Sequence, residues 1–158
     1  MADAAQDLDL VFTRVVAVPP RLVWRCWTEP ALLVRWFTPH PWKTIHAEVD
    51  LRPGGIFHTV MESPEGKVMD EPPGCWLEVV PHSRLVWTDA LLPGFRPRPN
   101  PFVTAVLTFE AVAEGTRYTA RVMHKDGADR ERHAAMGFEH GWGAALDQLV
   151  GIARGLEA

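Results

Sequence analysis

Residues 129–153 read DRERHAAMGFEHGWGAALDQLVGIA, a proline-free stretch in which Ala135, Phe138, Trp142, Ala145, Leu146, Leu149, Ile152 and Ala153 recur at near-helical intervals. That spacing predicts one long amphipathic helix with a single apolar stripe. Asp126 or Asp129 can cap its start. Gly137, Gly141 and Gly143 each weaken helix propensity by about 1 kcal/mol relative to alanine. A helix that accepts three of them is expected to need close approach of another backbone, or room for something bound.

Working back from this helix, residues 43–125 read as strands separated by turns. Thr44–Leu51 runs into Arg52-Pro53-Gly54-Gly55, a strong turn signal, and Ile56–Glu62 into Ser63-Pro64-Glu65-Gly66. Trp76–Val80 and Leu85–Ala90 flank Pro81-His82-Ser83, while Phe102–Val112 and Thr116–His124 flank Ala113-Glu114-Gly115. Six consecutive strands with tight connections predict an antiparallel meander. Leu8–Val18 is a further strand ending at Pro19-Pro20. Two short helices, about 20–28 and 30–37, are expected to meet at Pro30. Lys67–Gly74 and Leu91–Pro101 are rich in proline and read as irregular loops, the natural rim of an opening.

A long meander with one apolar face must cover it, and the C-terminal helix is the element long enough to do so. The expected fold is therefore α+β: a curved antiparallel sheet wrapped around a long C-terminal helix. The two short helices close one end, and residues 1–158 form a single domain with its core at about 8–153. Seven Trp stand against a single Tyr. So many indoles suit either a large aromatic-lined interior or an ordinary core.

Composition narrows the partners. A net charge of −4, with Lys and Arg scattered, gives no basic footprint for nucleic acid. Met1–Asp9 is polar and acidic, with no basic segment followed by an apolar run. No stretch approaches the roughly 20 apolar residues of a membrane span. Cys26 and Cys75 lie far apart without C-x-x-C spacing, which reads as two buried or half-buried thiols in a reducing, cytoplasmic compartment.

No nucleophile elbow, zinc-protease helix, phosphate loop or dinucleotide fingerprint is present. Any site must then be assembled in space from residues on inward faces. Alternation places Ile56, His58, Val60 and Glu62 on one face, Leu85, Trp87 and Asp89 on one, and Tyr118, Ala120, Val122 and His124 on one; a slip of one residue would reverse each set. Trp42, Thr44, His46 and Glu48 likewise share a face. The candidate ligand-binding residues are His58, Val60, Trp76, Trp87, Asp89, Tyr118, His124, Phe138 and Trp142, polar anchors in a mostly apolar cavity. His133 and His140, seven apart on the helix, are too distant to chelate one ion readily and are expected to be solvated, so no metal and no cofactor are expected. Glu131 and Glu139 are expected at the surface. Among the strand carboxylates Glu48, Glu62, Glu78 and Asp89, none stands out as an acid or base.

Ordered blocks along the chain carry a resemblance. They are Phe12-Thr13-Arg14-Val15 with Pro19-Pro20, then Trp27-Thr28-Glu29-Pro30, Asp50-Leu51-Arg52-Pro53-Gly54-Gly55, Leu77-Glu78-Val79-Val80-Pro81, Thr108-Phe109-Glu110, Gly115-Thr116-Arg117, and Met136-Gly137 through Leu149. Together they resemble the family related to the activator of the heat-shock protein 90 ATPase, within the START-like (SRPBCC) superfamily. The resemblance implies the helix-grip fold and a cavity between sheet and long helix. It does not carry a catalytic mechanism. With the first strand predicted from about Leu8, no added N-terminal chaperone-binding domain is expected.

The leading functional expectation is binding of a small hydrophobic molecule, lipid-like or polyketide-like, in that cavity. Two alternatives stand beside it: a superfamily enzyme such as a cyclase or hydrolase using His58, Asp89 or His124, and a stress-response module that contacts the chaperone. A homodimer is compatible with each.

Overall fold

The computed structural model describes residues 8–156; residues 1–7, the start of the polar N-terminal stretch, and 157–158 lie outside the described residues. The chain opens with strand β1 (Asp9–Val16), whose alternation buries Phe12 and Val16. Pro19 and Pro20 then start helix α1 (Pro20–Thr28), with proline at the first helical position. Glu29, held extended by the proline that follows, separates α1 from the single turn α2 (Pro30–Leu33). The second helix is shorter than the spacing predicts. Beyond Leu33 the chain continues in turns, although the amide of Phe37 still donates to Leu33 O at 3.2 Å.

The meander follows as expected: β2 (Lys43–Val49), β3 (Ile56–Glu62), a two-residue β4 (Val68–Met69), β5 (Gly74–Val80), β6 (Arg84–Thr88), then β9 (Thr104–Val112) and β10 (Gly115–Met123). Strand order is β1-β10-β9-β6-β5-β3-β2, with β4 paired to β3. The two loops are more ordered than expected. Lys67–Gly74 contains β4, and Leu91–Pro101 contains a small ladder of β7 (Leu91–Leu92) and β8 (Arg96–Pro97).

Register decides which residues meet the core. Phe12, Ala120, Leu107 and Leu85 stand opposite one another across four strands, and all four are buried. Leu10, Val122, Ala105, Trp87 and Trp76 form the next row. Pairing thins between β3 and β5, where only Ile56–Cys75 and Phe57–Gly74 are matched. Past Phe57, β3 turns to β4 instead, and the sheet opens.

The expected single C-terminal helix is two. Helix α3 (Gly127–Ala135) is capped by Asp126, whose carboxylate accepts from the Asp129 amide at 2.9 Å. Helix α4 (Phe138–Leu156) lays Phe138, Ala145, Leu146, Leu149 and Ala153 on the sheet. Between them Gly137 adopts φ +86°, a left-handed conformation that glycine enters without the usual steric cost. The apolar spacing runs unbroken through this point, and backbone geometry, which spacing does not report, breaks the helix. The other two glycines have reasons of space. A β-carbon on Gly143 would lie 2.8 Å from the Arg14 guanidinium, whereas one on Gly141 would meet nothing within 4 Å.

Candidate functional site

The interior is built around Trp27, fully buried at the end of α1. Its ring centroid lies 5.0 Å from that of Trp36, 5.6 Å from Phe37 and 6.3 Å from Phe57, mostly in the edge-to-face geometry aromatic quadrupoles favour. Phe57 extends the cluster to Trp76 at 4.7 Å and Trp87 at 4.9 Å. Polar edges are satisfied where they can be. Trp27 Nε1 donates to the Tyr118 hydroxyl at 3.1 Å, and Trp36 Nε1 to Cys26 O at 2.9 Å. Among the described residues, the buried indole N–H groups of Trp76 and Trp87 have no acceptor. Each such donor costs about 1–3 kcal/mol. Burial also lifts the Tyr118 phenol above its ordinary pKa and pushes the Cys26 thiol up to about 11. Neither group is poised to ionise, and Cys26 is an inert thiol.

The stretch after α2 is fastened to α4 by one side chain. Gln148 Nε2 donates to Trp36 O at 2.9 Å and Thr38 O at 3.0 Å, while its Oε1 accepts from the His40 amide at 2.9 Å. This clamp fixes Trp36, Phe37 and Pro39 against α4 as one lip of a cavity. The remaining wall comes from Trp27, Trp87 and the start of α4, including Phe138, Gly141, Trp142 and Ala145. The cavity measures about 280 Å³ and is partly open to solvent. Four of the seven tryptophans line it, so both readings of the Trp content hold: Trp24 and Trp76 serve the core, while Trp87 and Trp142 front the void. Gly141 leaves its space to the cavity, which a bulky side chain there would fill.

One polar side chain of this wall, His133, is hydrogen-bonded to a second histidine. His124 Nδ1 lies 2.8 Å from Leu8 O, and His124 Nε2 lies 2.8 Å from His133 Nδ1. A carbonyl only accepts, so His124 Nδ1 carries the proton. In the tautomer with both rings uncharged, His124 Nε2 accepts from His133 Nδ1–H. His133 Nε2 is then left as a bare acceptor on a residue that lines the cavity. Burial, with the neighbouring His124 second, lowers the His133 pKa to about 4, which keeps this ring neutral near pH 7. His133 was expected in solvent; instead it is half-buried, with ring centroids of Phe102 and Phe138 at 5.0 and 5.1 Å. Its partner His124 lies just past the end of β10, before the helix and outside its periodic pattern. His140, Glu131 and Glu139 are exposed as expected.

The sequence-derived candidates divide. Trp87, Phe138 and Trp142 line the cavity, and His124 stands one hydrogen bond behind it. Tyr118 and Trp76 are buried in the core and do not reach it. Asp89 faces a second cavity of about 370 Å³, which shares Phe37 and Trp87 with the first and is walled by the two irregular loops. There its carboxylate is committed to the Phe102 and Val103 amides, at 2.8 and 3.0 Å, with Arg98 beside it. It acts as a loop clamp. On β3 the inward residues are Phe57 and Thr59, so the face of His58 and Val60 is turned away from the apolar cavity. His58 borders the second cavity, but its Nε2 is bound to Asp70 at 2.9 Å and its ring packs on His46.

Similarity to known proteins agrees with this architecture. A protein of known crystal structure from Nitrosomonas europaea is 46% identical, with a TM-score of 0.92 over 96% of this chain and 97% of that one. Another from Mycobacterium smegmatis is 25% identical, with a TM-score of 0.74 over 94% and 91%. A third, from Rhodobacter sphaeroides, is 22% identical with a TM-score of 0.81 over 94% of each and shares the fold. No curated protein matches the chain. No described helix is long and apolar enough to cross a membrane. The family described as activator of Hsp90 ATPase homolog 1-like protein matches residues 17–154, and the chain belongs to it.

Proposed function

We propose that the cavity between α4 and the sheet binds a small hydrophobic molecule with a ring-bearing apolar body and one hydroxyl or N–H group, which His133 Nε2 accepts. Family membership fits either a ligand-binding or a chaperone-ATPase-activator-like module. One observation favours the first: an aromatic cavity of about 280 Å³ whose lining includes one imidazole, His133. Apolar walls with a few placed polar groups are the usual composition of small-molecule sites. The two free, buried thiols support a reducing, cytoplasmic setting.

The test compares 2-naphthol with 2-methoxynaphthalene by calorimetric titration. Both are expected to bind saturably at one site. The hydroxyl should bring about a 3–10-fold advantage, the equivalent of a net hydrogen bond of about 0.5–1.5 kcal/mol. His133→Phe should erase the advantage and leave binding of the methyl ether. If neither probe saturates, the binding proposal is lost; if both bind equally to the native protein, the role given to His133 is lost.

A further inference from the structure

We propose a divalent transition-metal site, of the Zn²⁺ class, on the outer face of the β2–β3 hairpin, with His46, Glu48 and His58 as its ligands. The site lies apart from the aromatic cavity and does not depend on it.

The hairpin register assembles the three. His46 and Glu48 are two apart on β2 and so project to one face. Glu48 stands directly opposite His58, and His46 opposite Val60, which places His58 on the diagonal from His46. A register shift between Thr44 and His46 sets this alignment, and the alternation of the sequence alone does not show it. One donor atom from each residue lies within 4.8 Å of the other two. Two donors on one tetrahedral zinc ion, at about 2.1 Å each, sit about 3.4 Å apart. Small side-chain rotations therefore close the set.

His58 is already held for the task. Its side chain is 17% exposed, and its Nε2 lies 2.9 Å from Asp70 Oδ1. A carboxylate accepts, so a neutral His58 carries its proton on Nε2 and presents a bare Nδ1. That is the carboxylate–histidine–metal arrangement in which an outer carboxylate fixes the tautomer and raises the basicity of the ligand. His46 and Glu48 are exposed, which leaves an entry path and open positions for water. Two imidazoles and a carboxylate suit a borderline ion of the zinc group and fall short of the oxygen-rich shell that Ca²⁺ or Mg²⁺ requires. A bound ion would tie edge strand β2 to β3 and, through Asp70, to the stretch that supplies Glu71 and Pro72 to the second cavity.

The experiment titrates chelator-treated full-length protein with Zn²⁺ against a chromophoric chelator. One equivalent is expected to bind, with at least a tenfold loss of affinity in His46→Ala and in Glu48→Gln. Asp70→Asn should lose about tenfold, the effect usual for a partner of a ligating histidine. His140→Ala, which removes an exposed imidazole elsewhere, should change nothing. Far-ultraviolet circular dichroism of the metal-free variants, expected to match the native protein, separates lost ligands from lost fold. Binding that survives both His46→Ala and Glu48→Gln, or the absence of a saturable equivalent in the native protein, overturns the proposal.

Discussion

Trp27→Ala is expected to remove about 5 kcal/mol of unfolding free energy, measured by urea denaturation at neutral pH. Truncating a fully buried tryptophan costs about 3–5 kcal/mol through lost transfer energy and the void left behind. The change also strands the buried Tyr118 hydroxyl, which accepts from Trp27 Nε1, adding about 1–3 kcal/mol for an unpaired polar group. Against a total stability of about 5–15 kcal/mol for a domain, the variant should be close to unfolding at 37 °C. Tyr118→Phe isolates the second part. It keeps the ring, leaves the indole N–H unpaired and should cost about 1–3 kcal/mol. A loss below about 2 kcal/mol in Trp27→Ala would mean that the aromatic cluster does not organise the fold as described.

Gly141→Phe is expected to abolish ligand binding without loss of stability. A side chain added at Gly141 meets open space, and the residue lies in the cavity wall within α4. A phenyl group there should occupy the void and weaken 2-naphthol by 100-fold or more. Gly141→Ala supplies the control. It adds a methyl group too small to block the cavity, and it should raise unfolding free energy by about 0.5–1 kcal/mol through helix propensity. Calorimetric titration paired with urea denaturation reads both effects. Undiminished binding in Gly141→Phe would place the ligand elsewhere.

The fold was legible because its signals are local. Pro19-Pro20 and Pro30 delimit the short helices, Arg52-Pro53-Gly54-Gly55 turns β2 into β3, and Ala113-Glu114-Gly115 joins β9 to β10. Helical spacing found the face of α4 that buries Leu146 and Leu149. It passed over the break at Gly137, where a backbone angle rather than a side-chain pattern ends α3. The site was legible in part for the same reason. Phe138, Trp142 and Trp87 follow from periodicity, whereas the inward face of β3 is a choice between two registers, and it was settled by Phe57 packing against Trp76 and Trp87. His133 and Gln148 escaped because their partners lie outside the helical pattern, His124 just past the end of β10 and the stretch after α2 far back in the chain. The His46–Glu48–His58 group depends on pairing between two strands, a relation that no single-strand pattern contains.

Amide chemical shifts, followed by nuclear magnetic resonance during titration with 2-naphthol, test most directly whether the hollow beneath α4 is where a guest resides. The perturbed residues should centre on Phe138–Ala145, with Trp87 and the Trp36–Phe37 lip, and follow one saturation curve. Perturbations confined to the sheet's outer face or the 52–55 turn, with α4 silent, would contradict the account.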